Sequence, residues 1–175
     1  QGAELNFRVE NGVAYVNQAR ITMTNIAASN GIIHVIDAVV TPPTIVDLAV
    51  ATPDLSTLVT AINAAQLAET LSGPGPFTVF APVNSAFAAL PSATLNTLLA
   101  NPSQLSPILT YHVIPQRLLA AEVLAASSFA TVNGQTLTVS NANSTPRING
   151  ARIIATDIVA GNGVVHLIDG VLLPQ

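Results

Sequence analysis

The sequence predicts an α+β fold: one complete domain over residues 44–175, preceded by a strand-rich segment over residues 1–43. Three observations carry this expectation. Helix-capping signals and apolar residues at helical spacing fill the first half of the longer stretch. From Phe129 onward, β-rich runs alternate with Asn-Gly pairs. Finally, "NGIIHVIDAVV" at Asn30 to Val40 returns near the other end as "NGVVHLIDGVL" at Asn162 to Leu172.

Taken in order, residues 1–43 lie on residues 133–175 without a gap. Identical pairs include Leu5/Leu137, Asn17/Asn149, Ala19/Ala151, Arg20/Arg152, Asn30/Asn162, Gly31/Gly163, His34/His166, Asp37/Asp169 and Pro42/Pro174. This is an internal repeat whose period is a whole domain. Because Pro42 aligns with Pro174, one unit ends where the next begins, with almost no linker.

Thr44-Ile-Val-Asp47 reads as a capping box, and Thr52-Pro53-Asp54 as a second helix start with Pro at the first helical position. Leu55, Leu58, Val59, Ile62 and Ala65 follow at helical spacing until Ser72-Gly73-Pro74 ends the region. Phe77–Phe80 reads as a short strand. Asn84, Ser92 and Ser103 are expected N-caps of three further short helices, and one more helical patch is expected near 118–126. Asn133-Gly134, Asn149-Gly150 and Asn162-Gly163 then mark hairpins in an antiparallel meander.

Only 8% of the 175 residues are charged, with five Arg, no Lys and nine acids, against about 25% charged in an ordinary soluble protein. Such a chain has no basic stripe for nucleic acid, and its net charge of −4 suits anionic membranes poorly. No apolar run reaches membrane-spanning length, so no membrane insertion is expected. The weakly repelling surface suits dense packing or assembly, and equally a secreted protein that avoids charge. Cysteine is absent, which removes disulfides, thiolate nucleophiles and Cys-ligated metals.

Chemistry has few candidates. His34 and His166 are repeat equivalents, so they do one job in two places. Along an alternating strand His166 and Asp169 point to opposite faces and form no dyad. Each is expected to satisfy nearby backbone groups. Zinc would need three or four convergent ligands, and no such cluster is visible. No Gly-x-Ser-x-Gly elbow or activated nucleophile is present. Gly73-Pro-Gly75 lacks the Lys of a phosphate loop. Asp47 and Asp54 are explained by helix starts. The expectation is a protein that is not an enzyme, with no catalytic residue, cofactor or metal. Asn143-Ser-Thr145 is a formal glycosylation sequon followed by Pro146.

Three blocks read together carry a resemblance: "FTVFAPVNSAFAAL" at 77–90, "YHVI" at 111–114 and "INGARIIATDIVAGNGVVHLIDGVLLP" at 148–174. They resemble the fasciclin (FAS1) domain family, in order and over nearly all of 44–174. The resemblance implies a β-sandwich-like wedge of mainly antiparallel strands with a helical N-terminal half packed on it. Residues 1–43 then read as the C-terminal strand segment of a preceding repeat. Phe80, Pro82, Asn84, His34, Asp37, His166 and Asp169 match the family's structural motif. The family's integrin-contact candidates map to Tyr111, His112, Asp157 and Ile158. Here the Asp motif lacks its usual Pro, and the repeat copy, Met23-Thr-Asn-Ile26, lacks the acid. The apolar flanks of Tyr111 and His112 make ring closure of the core the competing role.

The resemblance further implies an extracellular, secreted or cell-surface location, with adhesion through other copies, matrix or cell-surface proteins, or glycans. A homo-oligomer or tandem array is expected. For residues 1–43 three readings stand: a piece of a tandem protein, a strand donor to another copy, or an extra layer on the same chain. A binding module and the subunit of a homopolymeric filament, jointed by residues 1–43, are the two functional alternatives.

Overall fold

A computed structural model describes residue 5 and residues 7–142 and 145–174; the sequon at Asn143 lies outside them. The chain divides into two compact units, Gln1–Pro42 and Pro43–Gln175.

Unit 1 is a four-stranded antiparallel sheet in sequence order: β1 (Phe7–Glu10), β2 (Val13–Val16), β3 (Ala19–Ala28) and β4 (Gly31–Ile36). Asn11 and Gly12 both take positive φ, 52° and 79°. A two-residue hairpin loop of the type that matches strand twist requires this, and Asn-Gly tolerates it.

Unit 2 opens with α1 (Ile45–Ala51), started by the expected capping box: the Asp47 N–H donates to Thr44 Oγ1 and the Thr44 N–H to Asp47 Oδ2. A 3₁₀ turn at Pro53–Leu55, α2 (Ser56–Ala64) and α3 (Ala68–Ser72) follow. Then come β5 (Phe77–Pro82), α4 (Asn84–Ala88), α5 (Ser92–Ala100), α6 (Pro102–Tyr111), β6 (Val113–Ile114) and α7 (Ala120–Ala125). The meander is β7 (Ser128–Ala130), β8 (Thr136–Ala142), β9 (Thr145–Ile148), β10 (Ala151–Ala160) and β11 (Gly163–Ile168). No single helix among the described residues is long and apolar enough to cross a membrane.

The expected helices exist, but their starts differ. Val83, Pro91 and Asn101 occupy the cap positions, and none supplies a side-chain cap bond. Asn84 instead turns its amide away from α4. Its Oδ1 accepts from the Thr57 N–H at 3.0 Å, and its Nδ2 donates to the Pro53 carbonyl at 3.0 Å. It caps α2 across 27 residues because the orphan amides of that helix have no local acceptor.

One strand order, β6-β5-β11-β10-β9-β8-β7, runs through unit 2. All its pairs are antiparallel except one. The last strand, β11, lies parallel to β5 with Gly163 beside Phe77 and Ile168 beside Pro82. Strand alternation then separates two cores. Val79, Ala81 and Val165 join the helical layer with Leu58, Ile62 and Leu105. Phe80 and Ile168 join Tyr111, Ile114, Leu137 and Ile148 in a second cluster.

The repeat is structural down to its irregularities. Ile21↔Ile36, Met23↔Val35 and Ile26↔Ile33 in β3–β4 reproduce Ile153↔Ile168, Ala155↔Leu167 and Ile158↔Val165, including both register shifts. Asn25 and Asp157, inside the second shift, take φ of 59° and 60°. Asn and Asp enter that left-handed region more readily than other side chains.

Burial differs sharply. Every residue of β11 except half-buried Leu167 is buried, whereas β4 is exposed but for half-buried Ile36. A Cβ at Gly163 would land on the Phe77 carbonyl oxygen, while one at Gly31 would meet nothing within 4 Å. Gly163→Ala is therefore expected to destabilise unit 2 by about 3 kcal/mol, and Gly31→Ala to change stability by less than about 0.5 kcal/mol. Urea unfolding of the two variants checks this; equal effects would refute it.

Candidate functional site

Tyr111 and His112 sit where α6 runs into β6, and both are buried, each 2% exposed. The Tyr111 hydroxyl donates to the Thr136 carbonyl at 3.1 Å and accepts from Asn149 Nδ2 at 2.6 Å. Asn149 in turn accepts the Thr138 N–H at 2.7 Å. These groups border a polar cleft of about 320 Å³ lined by Tyr111, Gln135, Thr136, Thr138 and Asn149. The ring of Tyr111 closes the second core, and neither it nor His112 reaches the surface.

His112 works as a neutral connector. Nδ1 donates to the Ile108 carbonyl at 2.8 Å, and Nε2 accepts the Leu172 N–H at 2.9 Å. A carbonyl only accepts and an amide only donates, so the tautomer is set by its neighbours. Burial pushes the ring down to about 4, opposed in part by the bond to Ile108.

His166 uses the other tautomer. Nε2 donates to the Leu118 carbonyl at 3.0 Å, and Nδ1 accepts the Asp157 N–H at 3.3 Å. Its ring stacks on Phe80 with centroids 5.5 Å apart. Burial lowers its pKa, against smaller raising effects from the Leu118 bond and the Asp157 charge. His34, its repeat equivalent, is exposed.

Asp157 is exposed, but its carboxylate accepts the Ala120 N–H at 2.8 Å, at the first residue of α7. Ile158 is half-buried against the helical core. Asp169 accepts the Arg152 N–H at 2.7 Å and pairs with its guanidinium at 3.3 Å. Asp37 accepts the Arg20 N–H at 2.8 Å. His166 and Asp169 therefore serve separate backbone groups. Among the described residues no three His, Asp or Glu side chains gather at metal-binding distance.

Asn162 is the residue whose importance exceeds its sequence signal. It reads as hairpin chemistry, yet the turn is made at Gly161 and Asn162 while Gly163 already belongs to β11. Asn162 Oδ1 accepts the Ile45 N–H at 2.9 Å, and Nδ2 donates to the carbonyls of Leu71 and Gly73 at 2.7 and 3.0 Å. Its own carbonyl accepts the Phe77 N–H at 3.0 Å. One side chain thus ties α1 and the end of α3 to the β10–β11 turn.

The fasciclin domain family model matches residues 1–42 and 53–174. The chain belongs to the fasciclin domain family. It is similar to Protein sll1483 of Synechocystis, 47% identical over 133 residues, covering 75% of this chain and 73% of that protein. It is also similar to transforming growth factor-beta-induced protein ig-h3 of Sus scrofa, 36% identical over 168 residues, covering 94% of this chain and 25% of that one. Human periostin matches at 36% over 168 residues, with 94% and 20% covered. Among solved structures, a FAS1 domain pair from the insect cell adhesion molecule fasciclin I superposes with a TM-score of 0.66 at 19% identity. That match covers 97% of this chain and 67% of the other, and establishes the fold.

Two expectations follow. Both buried imidazoles hold their pKa below the unfolded value of about 6.5, so the unfolded chain binds more protons at mildly acidic pH. Stability is fully present above pH 6.5 and falls as pH drops toward 4, by about 3 kcal/mol through His112. Urea unfolding from pH 7.5 to 4 reads this, and a flat profile would contradict it. Separately, Asn162→Ala strands one amide and two carbonyls and is expected to cost about 2–3 kcal/mol. Asn30→Ala, at the exposed equivalent, is expected to cost under about 0.5 kcal/mol by the same assay.

Proposed function

We propose that this chain is a non-enzymatic extracellular adhesion or scaffold protein, secreted or displayed at the cell surface, that acts through protein–protein contacts. Its partners are other copies in a tandem or self-associated array and matrix or cell-surface proteins, with glycans as a further class. The observation that carries the reading is the exposed apolar sheet of unit 1. Ile32, Ile33 and Met23 are 64%, 53% and 57% exposed, and no charged residue falls between Arg20 and Asp37. Exposed apolar surface of this kind marks interaction sites. Family membership and the likeness to a cell adhesion molecule's domain pair support the same reading. The buried state of Tyr111 and His112 moves the contact away from those rings. Asp157 and Ile158 remain as contact candidates on unit 2.

A second reading, a homopolymeric filament jointed by residues 1–43, draws on one further observation. Strand β4 ends its sheet with a free edge, carries no Lys or Pro, and so lacks the usual protection against strand addition. Light scattering and negative-stain microscopy of the full chain, beside residues 43–175 alone, separate the two. Discrete oligomers that vanish with residues 1–42 are the expected result. Regular fibres would favour the filament, and monomers in both samples would remove self-association.

A further inference from the structure

The meander of unit 2 carries residues that the repeated fold does not require. Asn162, Gly163, His166 and Asp169 recur as Asn30, Gly31, His34 and Asp37, and each has packing or hydrogen-bonding work in unit 2. Gln135, Thr136 and Thr138 align instead with Ala3, Glu4 and Asn6, and Tyr111 precedes the repeated stretch. These four residues, together with Asn149, line the polar cleft of about 320 Å³. Asn149 does recur, as Asn17, because both take a positive φ, 46° and 52°. The cleft is thus made by polar side chains that are added to a shared register.

Its walls are fixed, and its hydrogen-bonding capacity is only partly used. Asn149 Oδ1 accepts from the Thr138 N–H at 2.7 Å and from the Thr138 hydroxyl at 2.9 Å. Nδ2 spends one of its two N–H groups on the Tyr111 hydroxyl and keeps the second. Thr138 Oγ1 donates once and accepts nothing among the described residues. The Tyr111 oxygen donates once, accepts once and retains a lone pair. The cleft therefore offers one N–H donor and two hydroxyl acceptors, all on side chains that hold one another in place. None of its lining residues is charged. Arg147, on adjoining β9, is turned to the Gly150 carbonyl at 2.7 Å. The Tyr111 ring is buried, so it presents no aromatic face.

We propose that this cleft binds a neutral saccharide, one ring of a glycan, through adjacent hydroxyl groups. A sugar hydroxyl both donates and accepts. Two neighbours on one ring therefore answer the Asn149 N–H and the oxygens of Thr138 and Tyr111. The uncharged lining discriminates against acidic sugars, phosphate esters and ammonium groups, each of which needs a counter-charge on leaving water. The volume stands at the small end of the range for ligand pockets and suits one or two rings. Without an aromatic platform the guest gains little from apolar contact, so a single cleft binds weakly. The proposal rests on the reading that glycans are among the partners of this chain.

The test is an NMR titration of the full, isotopically labelled chain with cellobiose, maltose, lactose and mannobiose. N-acetylneuraminic acid serves as the charged comparison. At least one neutral disaccharide should give saturable shifts with a Kd of about 1–10 mM. The shifts should be confined to the amides of residues 135–138 and 149–150 and to the Asn149 side-chain NH2. Thr138→Val, at an exposed strand position, keeps the side-chain shape and removes one acceptor. It should weaken binding at least about fivefold. Tyr111→Phe, which keeps the ring that fills the core, should do the same. Equal or tighter binding of the acidic sugar, or full affinity in Thr138→Val, would overturn the proposal. Shifts centred elsewhere on the chain would overturn this site and leave glycans among the partners. No shifts with any neutral disaccharide at about 50 mM would remove both. Light scattering on the same samples separates the protein contacts. A chain that self-associates but ignores the sugars ends this proposal, and one that binds them as a monomer supports it and ends only self-association.

Discussion

Everything in unit 2 hangs on the close parallel approach of β5 and β11. The helical half reaches the meander through this pair, and the approach is possible because residue 163 has no side chain. Asn162 fixes the start of the seam by holding α1 and α3, and Val83 closes its far end with a bond to the Ile168 carbonyl at 3.1 Å. The same register sends Val79 and Val165 to one core and Phe80 and His166 to the other. A slip of one residue would exchange the two faces and strip both cores at once.

Polar groups inside this protein are connectors. Thr78 passes a hydrogen bond from the Leu118 N–H to the Gln116 carbonyl, and both imidazoles bridge a donor and an acceptor on separate segments. Among the described residues no buried side-chain polar atom lacks a partner. The two histidines sit in opposite tautomers, each selected by one amide and one carbonyl. A chain with so few charges has no ionic means of fastening its interior, so neutral rings and amides take that work.

The parts of the fold written in local sequence were legible. Thr44 and Asp47 announced a capping box that forms, and Asn149-Gly150 announced a hairpin that takes positive φ at both positions. The α+β class and the family were readable from blocks of contiguous residues. What stayed hidden was long-range. Alternation in β11 records which residues face together, not that Phe77 is the neighbour. The roles of Asn84 and Asn162 depend on partners 27 to 117 residues away and leave no periodic trace. Cap positions slipped too. Asn84, Ser92 and Ser103 have the right chemistry, but the helices start one or two residues earlier, at Val83, Pro91 and Asn101, and the Asn84 amide is drawn to α2 instead.

The placement of the ends of unit 2 has a mechanical consequence. Pro43 accepts the Gly161 N–H beside the start of β11, and Leu172 is held by His112 just past its finish. Tension entering at one end and leaving at the other therefore runs along β11, the strand flanked by β5 and β10. Its hydrogen bonds on both sides lie across that line of force and are loaded together, in shear, rather than opened one at a time. Geometry of this kind resists stretching of unit 2 along the line from Pro43 to Leu172.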